Sequence, residues 1–160
     1  MYLLQSDASF NRKEFKRRFG RYPNMDTPKT FSEKLLYLKQ HYSNMLQNTC
    51  ADKYTVCQYV ELCGYGDILK EIYQVCSSPD EIDISRLPDK FFIQCSHTQG
   101  HNYVVDKENP DKLEAIKKEY KYLLKRKHYK ALRENCYKGI KPRIICGEYL
   151  QESGKEELTD

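Results

Sequence analysis

The stretch that most constrains this chain is Phe91-Phe92-Ile93-Gln94-Cys95, followed after a short polar loop by Tyr103-Val104-Val105. The first run is too short for an ordinary helix and rich in aromatic and β-branched side chains, so it predicts a buried strand. Thr98-Gln99-Gly100 supplies the loop, and the two strands together read as a hairpin. Asn109-Pro110 then offers an N-cap with proline at the first helical position. Beyond it Leu113, Ile116, Tyr120, Leu123 and Leu124 recur at helical spacing, which predicts an amphipathic helix over about 111–128. Strands followed by a helix of this kind place the chain in the α+β class.

The N-terminal third is helical in pattern. Phe10, Phe15 and Phe19 are interleaved with Arg12, Lys13, Lys16, Arg17 and Arg18, which suits a short basic helix ending at Gly20. Thr30-Phe31-Ser32-Glu33 has the form of a capping box. The helix it opens carries Phe31, Leu35, Leu38, Tyr42 and Met45 on one face. A further helix is predicted over about Ala51–Leu62, ahead of Gly64-Tyr65-Gly66. A short strand within Ile68–Val75, a turn at Ser77-Ser78-Pro79-Asp80 and a β-rich segment from Pro142 to Cys146 complete the pass. No repeat or low-complexity linker divides the sequence.

Composition excludes several classes. With 39% hydrophobic and 31% charged residues, the 160-residue chain is too apolar to be disordered and too charged for a membrane-embedded protein. No apolar run reaches the roughly 18 residues of a spanning helix. The opening Met1-Tyr2-Leu3-Leu4-Gln5-Ser6-Asp7 lacks a basic and an apolar signal region, so a cytoplasmic location is expected. Seven cysteines with no CxxC pair read as reduced thiols acting as small hydrophobes. The net charge of +4 is uneven: residues 107–143 hold thirteen Lys and Arg against five Asp and Glu. Such a stretch is either a nucleic-acid footprint or the solvated face of an amphipathic helix, and the apolar stripe within it favours the solvated face.

Three groups of residues carry candidate chemistry. Asp52-Lys53, near a helix start, is either an anion site or a solvated charge pair. Ser96-His97-Thr98-Gln99-Gly100-His101-Asn102 lies between two strands and reads as an ordinary hairpin loop, a phosphate-approaching loop with a single glycine, or a pair of histidine ligands lacking partners. Arg133, Lys138, Lys141 and Arg143 form a cationic group able to receive an acidic ligand.

In order along the chain, Phe15-Lys16-Arg17-Arg18-Phe19-Gly20-Arg21-Tyr22-Pro23-Asn24, Pro28-Lys29-Thr30-Phe31-Ser32-Glu33-Lys34-Leu35, Ala51-Asp52-Lys53-Tyr54-Thr55-Val56, Leu87-Pro88-Asp89-Lys90-Phe91-Phe92-Ile93-Gln94-Cys95-Ser96-His97 and Tyr137-Lys138-Gly139-Ile140-Lys141-Pro142-Arg143-Ile144-Ile145 resemble the TupA-like ATP-grasp proteins. These are bacterial proteins of polysaccharide and teichuronic-acid biosynthesis, often described as glycosyltransferases. The resemblance implies a helical N-terminal region over about 1–50 followed, over about 51–160, by the first half of an ATP-grasp domain, its lid subdomain. ATP-grasp enzymes clamp ATP between two subdomains with magnesium and commonly activate a carboxylate as an acyl phosphate.

The resemblance further implies that Lys53 takes the first phosphate-binding lysine position. The hairpin 91–105 becomes the lid, with His97, Gln99, Gly100 and His101 over the phosphates, and Glu148 approaches the hinge that meets adenine. Gln94 stands where the family usually has a second lysine, Thr98-Gln99-Gly100 where it has smaller residues, and Gly147 where it often has an acidic one. The chain stops at Leu158-Thr159-Asp160, about where the family continues into its metal-binding half. The expectation is therefore a truncated or degenerate member with weak ATP binding, no complete active site alone, and magnesium only if a second chain supplies the missing half. Glu152, Glu156 and Glu157 read as a solvated tail. The alternatives are a non-catalytic module docking a glycosyltransferase or other polysaccharide-biosynthesis partner, and a basic nucleic-acid-binding domain.

Overall fold

The computed structural model describes residues 5–150, so the expected tail at Glu152, Glu156 and Glu157 lies outside the described residues. The chain divides into two compact units, one of residues 1–51 and 127–139, the other of 52–126 and 140–160.

The first unit is helical: α1 (Asp7–Phe19), α2 (Phe31–His41), α3 (Met45–Ala51) and α6 (Tyr129–Leu132). Helix α1 ends at Gly20, whose φ of 72° is the left-handed conformation that glycine adopts without a Cβ penalty. At the start of α2 both halves of the capping box form. Glu33 there does more than cap. Its buried carboxylate accepts from Arg21 Nη1 at 2.6 Å, from the backbone amides of Asn24, Lys29 and Thr30, and from Thr30 Oγ1 at 2.9 Å. The α1–α2 connection thus wraps one side chain, and those hydrogen bonds hold the carboxyl far below the usual carboxylate range. The α6 segment is tied to the same unit: Asn48 donates to the carbonyls of Cys136 and Lys138 at 2.9 Å, and Tyr129 and Arg133 both bond Asp7.

Helix α2 is shorter than the shared apolar face from Phe31 to Met45 implies, and that face is open. Phe31, Leu35 and Leu38 are exposed, whereas Leu36 and Glu33 are buried, and the helix stops before Tyr42 and Met45, which are also exposed. Burial follows the loop that folds onto Glu33 rather than the apolar period.

The second unit is an antiparallel four-stranded sheet backed by a helix. It contains α4 (Thr55–Leu62), β1 (Ile72–Cys76), β2 (Lys90–Cys95), β3 (Tyr103–Asp106), α5 (Pro110–Leu123) and β4 (Ile144–Gly147), with strand order β1-β4-β2-β3. The predicted hairpin is present, pairing Lys90 with Asp106 and Ile93 with Tyr103. Side chains alternate across β2: Phe91, Ile93 and Cys95 are buried in the core, while Phe92 and Gln94 face the other side, half-buried. Leu113, Ile116, Tyr120 and Leu123 of α5 close the core over the first face, as the helical spacing predicts. The basic residues between them serve the solvated face, where Lys117 pairs with Glu114 and Lys121 with Asp80.

Two boundaries differ from expectation. The helix foreseen over 51–62 is interrupted at Asp52-Lys53-Tyr54, where α3 ends and α4 has not begun. The Asp52 carboxylate accepts from the Tyr54 amide at 3.0 Å, an Asx turn that competes with helix. The strand expected within 68–75 starts only at Ile72, and Ile68 sits in an exposed 3₁₀ turn. All seven cysteines are free thiols. Burial pushes Cys95 and Cys146 up to about 12, so both stay protonated and act as core residues.

Candidate functional site

On the sheet face away from α5 lies a cleft of about 210 Å³, lined by Lys53, Cys57, Ile68, Leu69, Lys70, Glu71, Ile72, Phe92, Gln94, Ile145, Gly147 and Glu148. Alternation along β2 and β4 aims Phe92, Gln94, Ile145 and Gly147 at it, because their neighbours are committed to the core. It is smaller than the roughly 300–1,000 Å³ of a typical small-molecule site and suits one heterocycle better than a whole nucleotide.

Lys53 is set into this cleft by main chain on both sides. Its amide donates to Ser96 O at 3.1 Å, and its ammonium donates to Cys95 O at 3.1 Å and to Thr98 O at 2.5 Å. Two of three N–H groups are thereby used, leaving one for a ligand. Burial lowers the lysine below its ordinary value. The turn carrying Lys53 is itself fixed, since the buried Asp52 carboxylate takes Arg143 Nη1 at 3.0 Å, and the Arg143 guanidinium lies 4.9 Å from the centre of the Tyr54 ring. Asp52 is therefore neither solvated nor paired with Lys53, which corrects the solvated-pair alternative. Arg143 and Arg133 each already hold a carboxylate, Asp52 and Asp7, so neither is an open member of a cationic site.

The remaining expected site residues fall in two places. Gln94 and Glu148 share the cleft with Lys53. The Glu148 carboxylate accepts from Glu71 N at 3.3 Å and its own amide donates to Glu71 O at 2.8 Å, closing the β1–β4 end of the cleft. Close approach of the same strands explains Gly147, where a Cβ would stand 2.9 Å from Glu71 O.

His97, Gln99, Gly100 and His101 do not line the cleft. His97 is buried with Nε2 3.1 Å from Leu123 O and its Nδ1 without a partner, and burial lowers its pKa, which keeps the ring neutral. Gln99 and Gly100 are exposed at the loop tip, where Gly100 has a φ of 67°. His101 reaches Glu119 Oε1 through Nδ1 at 2.5 Å, and Tyr103 donates to the other oxygen of that carboxylate at 2.6 Å. Tyr120, a core residue, shares its hydroxyl between Ile93 O at 3.0 Å and His101 O at 2.8 Å. Sequence reasoning did not foresee Glu119, Tyr103 and Tyr120 as anchors of this loop. The only signal was their polar tips on an otherwise apolar helical and strand pattern.

A protein-family model for the TupA-like ATP-grasp proteins matches residues 33–160. The chain belongs to the TupA-like ATP-grasp family. Neither a curated protein nor a solved structure matches it. For this TupA-like chain the matched range takes in all of the second unit, including Lys53, the hairpin and Glu148, while the stretch Phe15–Asn24 precedes it.

Proposed function

We propose that the second unit is the nucleotide-facing, lid-bearing half of an ATP-grasp domain, and that its cleft receives the base of ATP, with the phosphates at its Lys53 edge, during cell-surface polysaccharide synthesis. The observation that carries this reading is that Lys53 and Gln94 line one largely apolar hollow in a chain of this family. Phe92, Ile72 and Ile145 supply flat and branched apolar surface for the base. The free N–H of Lys53 offsets phosphate charge, Gln94 adds a neutral donor, and Glu148 orders the strand end beside the base. Gln99 and Gly100 cover the phosphates when the hairpin closes, with His97 and His101 holding the loop from behind.

The residues bind and orient rather than react. Cys57 borders the cleft, but burial raises its thiol, which therefore stays protonated and a poor nucleophile. Among the described residues no three His, Cys, Asp or Glu side chains gather as a cation would need, so these residues provide no magnesium cage.

Titration calorimetry of the full chain with ATP tests the reading. Binding weaker than about 1 μM is expected, because one charged group contacts the phosphates. Lys53→Met should lower affinity about tenfold or more while circular dichroism stays unchanged. No heat at millimolar ATP, or full binding by a folded Lys53→Met variant, would reject it.

A further inference from the structure

We propose that the helical unit is a peripheral docking module that lies on an anionic lipid surface. Charge is segregated between the two units. The helical one, 1–51 and 127–139, holds thirteen Lys and Arg against five Asp and Glu, whereas the other holds fourteen against eighteen. The positive excess of the chain therefore belongs entirely to the helical unit.

The same unit exposes an apolar ridge. Phe31, Leu35 and Leu38, one helical turn apart on α2, are 76%, 50% and 51% exposed, and Met45 at the start of α3 is 88% exposed. Arg17, Arg18 and Phe19 at the end of α1 border a groove of about 400 Å³ together with Leu35; Arg17 there is paired with Glu14, and Arg18 adds an exposed cation. Lys13, Arg18 and Lys34 are exposed, and Arg12 and Lys16 stand 5.0 and 4.4 Å from the centre of the Tyr22 ring. Exposed Phe and Leu flanked by Lys and Arg is the pattern of a surface seated at the headgroup–acyl boundary, where apolar burial and attraction to anionic lipid add.

Three of the four ridge residues are aliphatic, Phe31 being the aromatic one, and this balance favours a lipid surface among polyanions. A nucleic acid would use the charge, but its bases stack on aromatic faces, and Leu35, Leu38 and Met45 offer none. An acyl boundary takes all of them. No helix among the described residues is long and apolar enough to cross a membrane, so the mode is lying on the surface.

Co-sedimentation of the full chain with vesicles tests this. Binding is expected to vesicles of equal phosphatidylglycerol and phosphatidylcholine, to weaken as salt rises, and to be absent with phosphatidylcholine alone. Phe31→Ser with Leu38→Ser should reduce binding at least about tenfold. Lys13→Gln with Arg18→Gln, both surface side chains, should reduce it about fivefold per charge and serves as the readout if the apolar variant misfolds. Equal binding to both vesicle types, no binding, or unchanged binding by these variants would overturn the proposal. So would tighter binding to single-stranded RNA than to vesicles, or self-association that Phe31→Ser abolishes. ATP calorimetry on the same variants should be unaltered, so this proposal and the nucleotide reading fail independently.

Discussion

The Arg143 guanidinium lies 3.0 Å from the buried Asp52 carboxylate across a separation of 91 residues, immediately before Lys53 in sequence. This contact joins the entry to β4 with the turn that carries the candidate phosphate lysine. Asp52 also caps Tyr54, so it orients the following helix as well as the preceding turn. Removing one partner leaves a buried charge alone, which costs more than the pair itself is worth. Arg143→Ala is therefore expected to destabilise the chain by about 3 kcal/mol in urea unfolding. Arg143→Lys should recover only part of this, because the planar group beside the Tyr54 ring is lost. Equal stability of Arg143→Ala and the parent would mean that the turn is held by backbone bonds alone.

Glu33 gives a prediction with a definite pH sign. Its folded-state pKa is depressed by Arg21 and the surrounding amides, so its stabilisation is present above the unfolded value of about 4.3 and is lost as pH falls below it. Glu33→Gln should be less stable than the parent at neutral pH, and the gap should narrow steadily below about pH 4. Chemical denaturation at several pH values measures this. A gap that is constant with pH would show that shape, not charge, holds the α1–α2 loop.

Local signals were legible and distant ones were not. The capping box at Thr30, the glycine cap at Gly20 and the β2–β3 hairpin rest on local contacts, the stripe of α5 on a local periodicity, and each is present. The apolar spacing of α2 told which residues share a face, but periodicity does not record which face meets the core. Five donors from residues 21–30 converge on Glu33 and draw that side inward instead. The break at 52–54 was equally hidden, since Asp52 is an ordinary helix residue until its side chain caps Tyr54 and meets Arg143. Within the candidate site, Lys53, Gln94 and Glu148 came together in one cleft, whereas the loop residues His97 and His101 turned toward α5.

Gln94 offers a gain-of-affinity test. It faces the cleft with Lys53, and a lysine there would add a second positive charge near bound phosphate. Unit charges about 4 Å apart at an effective dielectric of about 20 interact by about 4 kcal/mol, part of which repulsion from Lys53 and desolvation offset. Gln94→Lys is expected to bind ATP about tenfold more tightly in calorimetry while lowering melting temperature. Weaker ATP binding by a folded Gln94→Lys variant would move the phosphate site away from β2.

Gly147 tests the geometry at the far end of the cleft. It pairs with both Ile72 and Phe92, so β1 and β2 flank it on either side. A methyl group at residue 147 would meet Glu71 O at 2.9 Å, and the obstacle is main chain rather than a side chain that can swing away. The strands must then part, which strains the contact between Glu148 N and Glu71 O that seals this end. Gly147→Ala is expected to cost about 1–3 kcal/mol in thermal or urea unfolding, the range typical of overpacking. Hydrogen exchange should speed up at the Glu148 amide before it does so in the β2–β3 hairpin, because the strain enters at β1. Unaltered stability and exchange would mean that β1 yields without cost and that glycine is not required there.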